Sequence, residues 1–120
     1  MSRLRFLLDE HLAHAIQSQL LRLDAQIDSL VMGQPFAPSI GVADPDILLW
    51  LEQTGYALVT NNRRTMPDHL RAHYDAGHRI PGLFLLKRHA RIGQVIEQLY
   101  LLWVASEAEE YMDKVLYLPI

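Results

Sequence analysis

Short runs that are apolar at every position recur along this chain, each bounded by polar residues and separated by stretches with helical spacing. Arg5-Phe6-Leu7-Leu8 stops at Asp9-Glu10, Ala57-Leu58-Val59-Thr60 stops at Asn61, and Leu83-Phe84-Leu85-Leu86 stops at Lys87. A strand with one wet face alternates polar and apolar residues, whereas a continuously apolar run belongs to a strand covered on both faces. Segment 27–32 and Val115-Leu116-Tyr117-Leu118 read as two further strands. Between the runs, Leu12, Ala15, Ile16, Leu20 and Leu23 mark one helix, and Ile92, Val95, Ile96, Leu99, Leu102 and Trp103 mark a longer one. That longer helix is expected to run on through Ser106-Glu107-Ala108-Glu109-Glu110. Asp44-Pro45-Asp46 opens a helix, with Asp44 as N-cap, Pro45 at the first position and Asp46 adding charge to the first turn, and Gly55 closes it. Thr65-Met66-Pro67-Asp68 resembles a capping box ahead of a helix that Gly77 ends. Strands alternating with helices predict one α/β domain over residues 1–120, its mostly parallel sheet sandwiched in three layers, α/β/α.

Function classes narrow by exclusion. The chain has no cysteine, which removes disulfides and thiolate metal sites. Asp9 comes too early for a signal-peptide core, and the longest apolar stretch, around Tyr100–Ala105, is too short to span a bilayer, so a cytoplasmic location is expected. The net charge of −3 means that any nucleic-acid contact needs a local basic patch. Neither GxGxxG nor a P-loop is present.

In open parallel sheets ligands bind beyond the carboxyl ends of the strands. There the first strand delivers Asp9 and Glu10, the third Thr60, Asn61 and Asn62, and the fourth Lys87 and Arg88, while the helix start at Asp44 and Asp46 opens on the same side. Carboxylates from two distant segments with amides from a third form an oxygen-donor set suited to Mg²⁺ or Mn²⁺ rather than Zn²⁺. Asp9, Glu10 and Asp46 are the expected metal ligands; a capping Asp44 spends an oxygen on backbone N–H groups. Arg63-Arg64 is either a solvated pair or a phosphate-capturing one ahead of a helix. His69/His73 and His11/His14 stand at helical spacing, but without HExxH or a third ligand at recognisable spacing they are expected at the surface or against a partner.

Phe6-Leu7-Leu8-Asp9-Glu10, then Ala43-Asp44-Pro45-Asp46-Ile47-Leu48, then Leu58-Val59-Thr60-Asn61-Asn62 resembles, in this order and spacing, the PIN-like proteins, small bacterial relatives of toxin-type PIN nucleases. The resemblance covers Met1 to about Arg64. It implies the three-layer fold, a Mg²⁺- or Mn²⁺-dependent endoribonuclease with Asp9, Asp44, Asp46 and Asn62 as catalytic positions, and a small antitoxin-like partner. Thr60, Asn61, Arg63, Arg64, Lys87 and Arg88 would contact the RNA. One departure is conspicuous: where the family carries Thr-x-Asp-x-Asp, this chain reads Thr60-Asn61-Asn62-Arg63-Arg64. Asn62 brings a neutral side chain and Arg64 a positive charge to positions where acids would hold a cation.

The competing reading is a module that keeps the fold, has lost the carboxylate set, and binds RNA or a protein. Tyr100, Leu101 and Val104 exceed what one core-facing stripe requires, which predicts self-association through the helix over 92–104. A phosphoacceptor receiver domain is set aside because no strand ends in the central acceptor Asp.

Overall fold

The computed structural model describes residues 2–9 and 13–120. Strands β1 (Phe6–Leu8), β2 (Ser29–Val31), β3 (Ala57–Thr60), β4 (Leu83–Leu86) and β5 (Val115–Leu118) form one sheet in the order β2-β1-β3-β4-β5, with every pairing parallel. Helices α1 (Ala13–Leu23), α2 (Asp44–Thr54), α3 (Met66–Asp75) and α4 (Ile92–Ala105) connect them, and a 3₁₀ turn over Ala108–Tyr111 precedes β5. The architecture is the α/β three-layer sandwich expected from the sequence.

Alternation along each strand sorts the core into two halves. Phe6 and Leu8, Ala57 and Val59, and Phe84 and Leu86 pack against α1 and α4, through Ile16, Leu20, Val95, Leu99 and Trp103. Leu7, Leu58, Leu83 and Leu85 point the other way, onto Ile47, Leu48 and Leu51 of α2 and Met66 and Leu70 of α3. These strands therefore lose all their apolar surface to protein, which explains runs without polar interruption.

The order has a consequence for handedness. From β1 the chain steps outward to β2 by way of α1, then steps the opposite way to β3, β4 and β5. α2 and α3 lie on the face opposite α1, so these three connections share one hand. α4 steps in the same direction as α3 but returns on the face of α1, so the β4–β5 connection has the other hand. Right-handed crossovers are the strong rule, which makes this one the exception. Because α4 lies on the α1 side, β5 buries Leu118 there while Val115 and Tyr117 on its other side are 38% and 48% exposed.

Two expectations about helix ends are corrected. α4 does not continue through Glu110; it ends at Ala105, and Ser106 is extended at φ −130°, ψ 161°. Acids at a helix C-terminus oppose the macrodipole, whereas in the first turn of a new helix they are favoured. Glu107 and Glu110 duly form a reciprocal capping box for the 3₁₀ turn. Thr65 occupies the N-cap position of α3 without a side-chain capping bond; its hydroxyl is engaged with Asn62 instead, at 2.9 Å from Nδ2.

Candidate functional site

β1 and β3 are adjacent and parallel, so the residues following them leave the sheet side by side, at the point where the strand order changes direction. Crevices at such switch points are the usual ligand sites of doubly wound sheets. The N–H of Asp9 bonds the Val59 carbonyl at 3.1 Å, which extends the ladder by one residue and fixes the Asp9 backbone. Thr60, only 2% exposed, donates its hydroxyl to Asp9 Oδ2 at 2.8 Å and accepts the Asn62 N–H at 3.1 Å. A buried hydroxyl satisfied in both directions makes a rigid link between the two strand ends.

α2 begins on the same side, but not in the expected frame. Ala43, at φ −66° and ψ 147°, occupies the N-cap position, and Asp44 is the first helical residue. Its carboxylate is therefore not a cap: it accepts Asn62 Nδ2 at 3.1 Å and lies 3.7 Å from His69 Nε2. Proline is tolerated throughout the first helical turn, so an Asp-Pro-Asp pattern leaves the frame open by one residue. Asp46 also stands at this end of the sheet, yet its side chain is exposed and is not among those lining the cleft. Two residues along a helix are about 200° of rotation, so Asp44 and Asp46 cannot both face the same crevice.

The cleft has a volume of about 360 Å³. Asp9, Asp44, Thr60, Asn61 and Asn62 supply its polar wall, over apolar side chains that include Met32, Ile47 and Met66. Asn61 and Asn62 also border a shallower hollow of about 420 Å³ with Arg63, Arg64 and Arg88. Arg63 is anchored there, since its Nη1 donates to the Leu86 carbonyl at 2.7 Å. Lys87 is exposed and does not line either hollow. Glu10, the remaining expected ligand, and His11 lie outside the described residues.

The network fixes the orientation of the Asn62 amide. Its Oδ1 accepts the Thr65 backbone N–H at 3.2 Å, a bond only oxygen can make, so Nδ2 is the atom turned to Asp44. Asn62 therefore acts as a donor to a carboxylate rather than as a carbonyl ligand. Thr65 and His69 were not singled out as site residues; the Asn62-x-x-Thr65 spacing, typical of local side-chain-to-backbone turns, was the available signal. The histidine pair separates: His69 approaches Asp44, whereas His73 is 7% exposed and bonds the Arg79 carbonyl through Nε2 at 2.9 Å, so it is a core residue and not a surface one.

Compared with family models, curated proteins and solved structures, the chain finds no match in any of the three. Among the described residues no helix is long and apolar enough to cross a membrane.

Proposed function

We propose that the chain is a metal-dependent ribonuclease of PIN-like type, acting at the cleft between Asp9 and Asp44. The observation that carries the reading is the meeting of these two carboxylates, from distant segments, in one cleft that adjoins an arginine-lined hollow. Asp9 and Asp44 with the Thr60 hydroxyl are hard oxygen donors of the kind that Mg²⁺ or Mn²⁺ takes. Bound there, such an ion would supply Lewis-acid polarisation of a phosphodiester and a more acidic water. Thr60 holds Asp9 Oδ2 in place, and Asn62 does the same for Asp44 Oδ2. Arg64 and Arg88 would seat the RNA backbone in the adjoining hollow, with Arg63 as its fixed wall.

A second reading, a binding module without hydrolytic activity, is favoured by one observation. Asn62 presents N–H and not an oxygen to Asp44, and an amide donor already answers part of the charge that a cation would otherwise balance. Incubation of single-stranded RNA with the protein and Mn²⁺ separates the two. Cleavage that disappears in Asp9→Asn supports the nuclease; retention of RNA without cleavage, weakened by Arg88→Ala, supports the module.

For partners, α4 exposes Leu101 at 52% and Val104 at 50%, and an apolar hollow of about 330 Å³ runs between α4 and Ile120. Self-association through this face is the reading that continues the expectation for the 92–104 helix; a small antitoxin-like protein would compete for the same surface.

A further inference from the structure

α2 and α3 both run from the cleft towards the opposite end of the sheet, and there they bring together a second set of ligating side chains. Glu52 near the end of α2, His73 in the last turn of α3 and His78 just past it each offer one donor atom, all within 4.8 Å of one another. Glu52 Oε1 lies 2.8 Å from His78 Nδ1 and 4.0 Å from His73 Nε2. The imidazole rings stack, with centroids 4.8 Å apart and planes 24° from parallel. Gly77, at φ +87°, makes the turn that brings His78 back over His73, a conformation unfavourable for other residues.

We propose that Glu52, His73 and His78 form a binding site for a divalent ion of the zinc class, separate from the acidic cleft and independent of the function read there. Two imidazoles with one carboxylate form a donor set that zinc takes readily, leaving a fourth position for another donor. The oxygen donors at the cleft favour a different kind of cation. With metal–donor bonds of about 2.1 Å, tetrahedral donors stand about 3.4 Å apart. The separations of 2.8 and 4.0 Å bracket that spacing. The side chains that must adjust are the accessible ones: the Glu52 side chain is 33% and that of His78 40% exposed, whereas His73 is buried. An ion thus meets one anchored imidazole and two ligands free to close on it from the solvent side.

The surrounding bonds support this arrangement. Glu52 Oε2 accepts the Arg79 N–H at 3.0 Å, which orients the carboxylate while Oε1 faces the histidines. Without metal, His78 donates Nδ1–H to Glu52, and His73 donates Nε2–H to the Arg79 carbonyl. To bind, each imidazole must turn an unprotonated nitrogen to the ion, so His78 gives up its bond to Glu52 and His73 its bond to the Arg79 carbonyl. Such an ion would tie the ends of α2 and α3 to the turn leading into β4.

The test uses tag-free protein and Zn²⁺ alone, followed by calorimetry and by the thermal midpoint. The expected result is one equivalent bound with a saturable rise in midpoint, and an affinity at least tenfold lower in both His78→Ala and Glu52→Gln. His73→Ala risks unfolding the core, so the two accessible ligands are the decisive variants. Binding should be retained in Asp44→Asn and His69→Ala, which remove the histidine–carboxylate approach at the cleft. Replacement of Zn²⁺ by Co²⁺ should give visible bands of a four-coordinate nitrogen–oxygen site, lost in His78→Ala. Zn²⁺ binding that survives His78→Ala and Glu52→Gln but is lost in Asp44→Asn overturns the proposal, as does the absence of any Zn²⁺-dependent stabilisation.

Discussion

Asn62 turns its amide nitrogen to Asp44, with Nδ2 3.1 Å from Oδ2, while its oxygen accepts the Thr65 N–H. A neutral donor thus stands beside one of the two cleft carboxylates, and its replacement by an acid is the most informative change in the molecule. Asn62→Asp removes the donor and adds a second negative charge, while Oδ1 can keep its bond to Thr65. Losing a hydrogen bond to a charged group and gaining a like-charge neighbour should cost about 1–3 kcal/mol of stability without metal. With Mn²⁺ the variant should recover more than the parent gains, by mass action on the folded state. Thermal midpoints across an Mn²⁺ series measure both effects; a variant indifferent to Mn²⁺ would argue against a cation at the cleft.

The arginines should separate by role. Arg64→Ala and Arg88→Ala should leave stability nearly unchanged and weaken single-stranded RNA binding, each reducing the salt slope by about 0.7 if it holds one phosphate. Arg63→Ala should also lower stability, because its guanidinium holds the Leu86 carbonyl at 2.7 Å. Fluorescence anisotropy at several salt concentrations, beside a urea titration, gives both quantities. An unchanged salt slope in all three variants would remove RNA from the hollow.

Acid should loosen the end of the sheet away from the cleft. Glu52 is held below its ordinary 4.5, chiefly by the Arg79 backbone N–H, with the hydrogen bond and charge of His78 adding to the effect against desolvation. For Asp113 desolvation pushes upward, but the Ile80 N–H and the bonds and charge of Arg79 together outweigh it, leaving its pKa below 3.8. Both groups are more acidic folded than unfolded, so their contribution is complete above those ordinary values and lost as pH falls through the folded ones. The urea midpoint should therefore decline below about pH 4.5, and the decline should be shallower in Glu52→Gln. Equal acid limbs in parent and variant would show that Glu52 is not a source of the effect.

Self-association through α4 predicts a single outcome for a charged substitution. Leu101 and Val104 are half exposed, so Leu101→Asp with Val104→Asp should cost less than about 1 kcal/mol of stability in the monomer while abolishing any dimer. Sedimentation velocity over a concentration range settles it. A parent that stays monomeric throughout would sink the idea.

β3 and β4 were legible to the residue because a strand covered on both faces leaves an unbroken apolar run with polar stops; β5 shows the same run although Val115 and Tyr117 on one of its faces meet solvent. β2 was read too long, since Ile27 and Met32 are core residues just beyond its ends. Periodicity says which residues are covered but not which strands are neighbours, so neither the strand order nor the hand of the β4–β5 connection was visible. The cleft was legible in outline, because Asp9, Asp44 and Asn62 each follow a strand or open a helix at one end of a parallel sheet. Its particular carboxylate was not: Asp44 and Asp46 differ by a frame that Asp-Pro-Asp does not resolve. The Glu52–His73–His78 cluster joins two helices and a turn, a juxtaposition that comes from α2 and α3 packing side by side and leaves no mark at short range.

The uncommon hand of the last connection has a consequence for how the sheet comes apart. β5 is held by β4 along one edge and by α4 over one face; its other face, at Val115 and Tyr117, meets solvent. Opening it forfeits the β4–β5 ladder and the burial of Leu118 but exposes little of the core shared by α2 and α3. Local opening follows the least buried surface, so the amides of β4 facing β5 should exchange with solvent on a faster clock than those of the β1–β3 ladder. Asp9 and Thr60 stand on that slower ladder, which places the cleft on the most persistent part of the sheet and leaves its outer edge free to breathe.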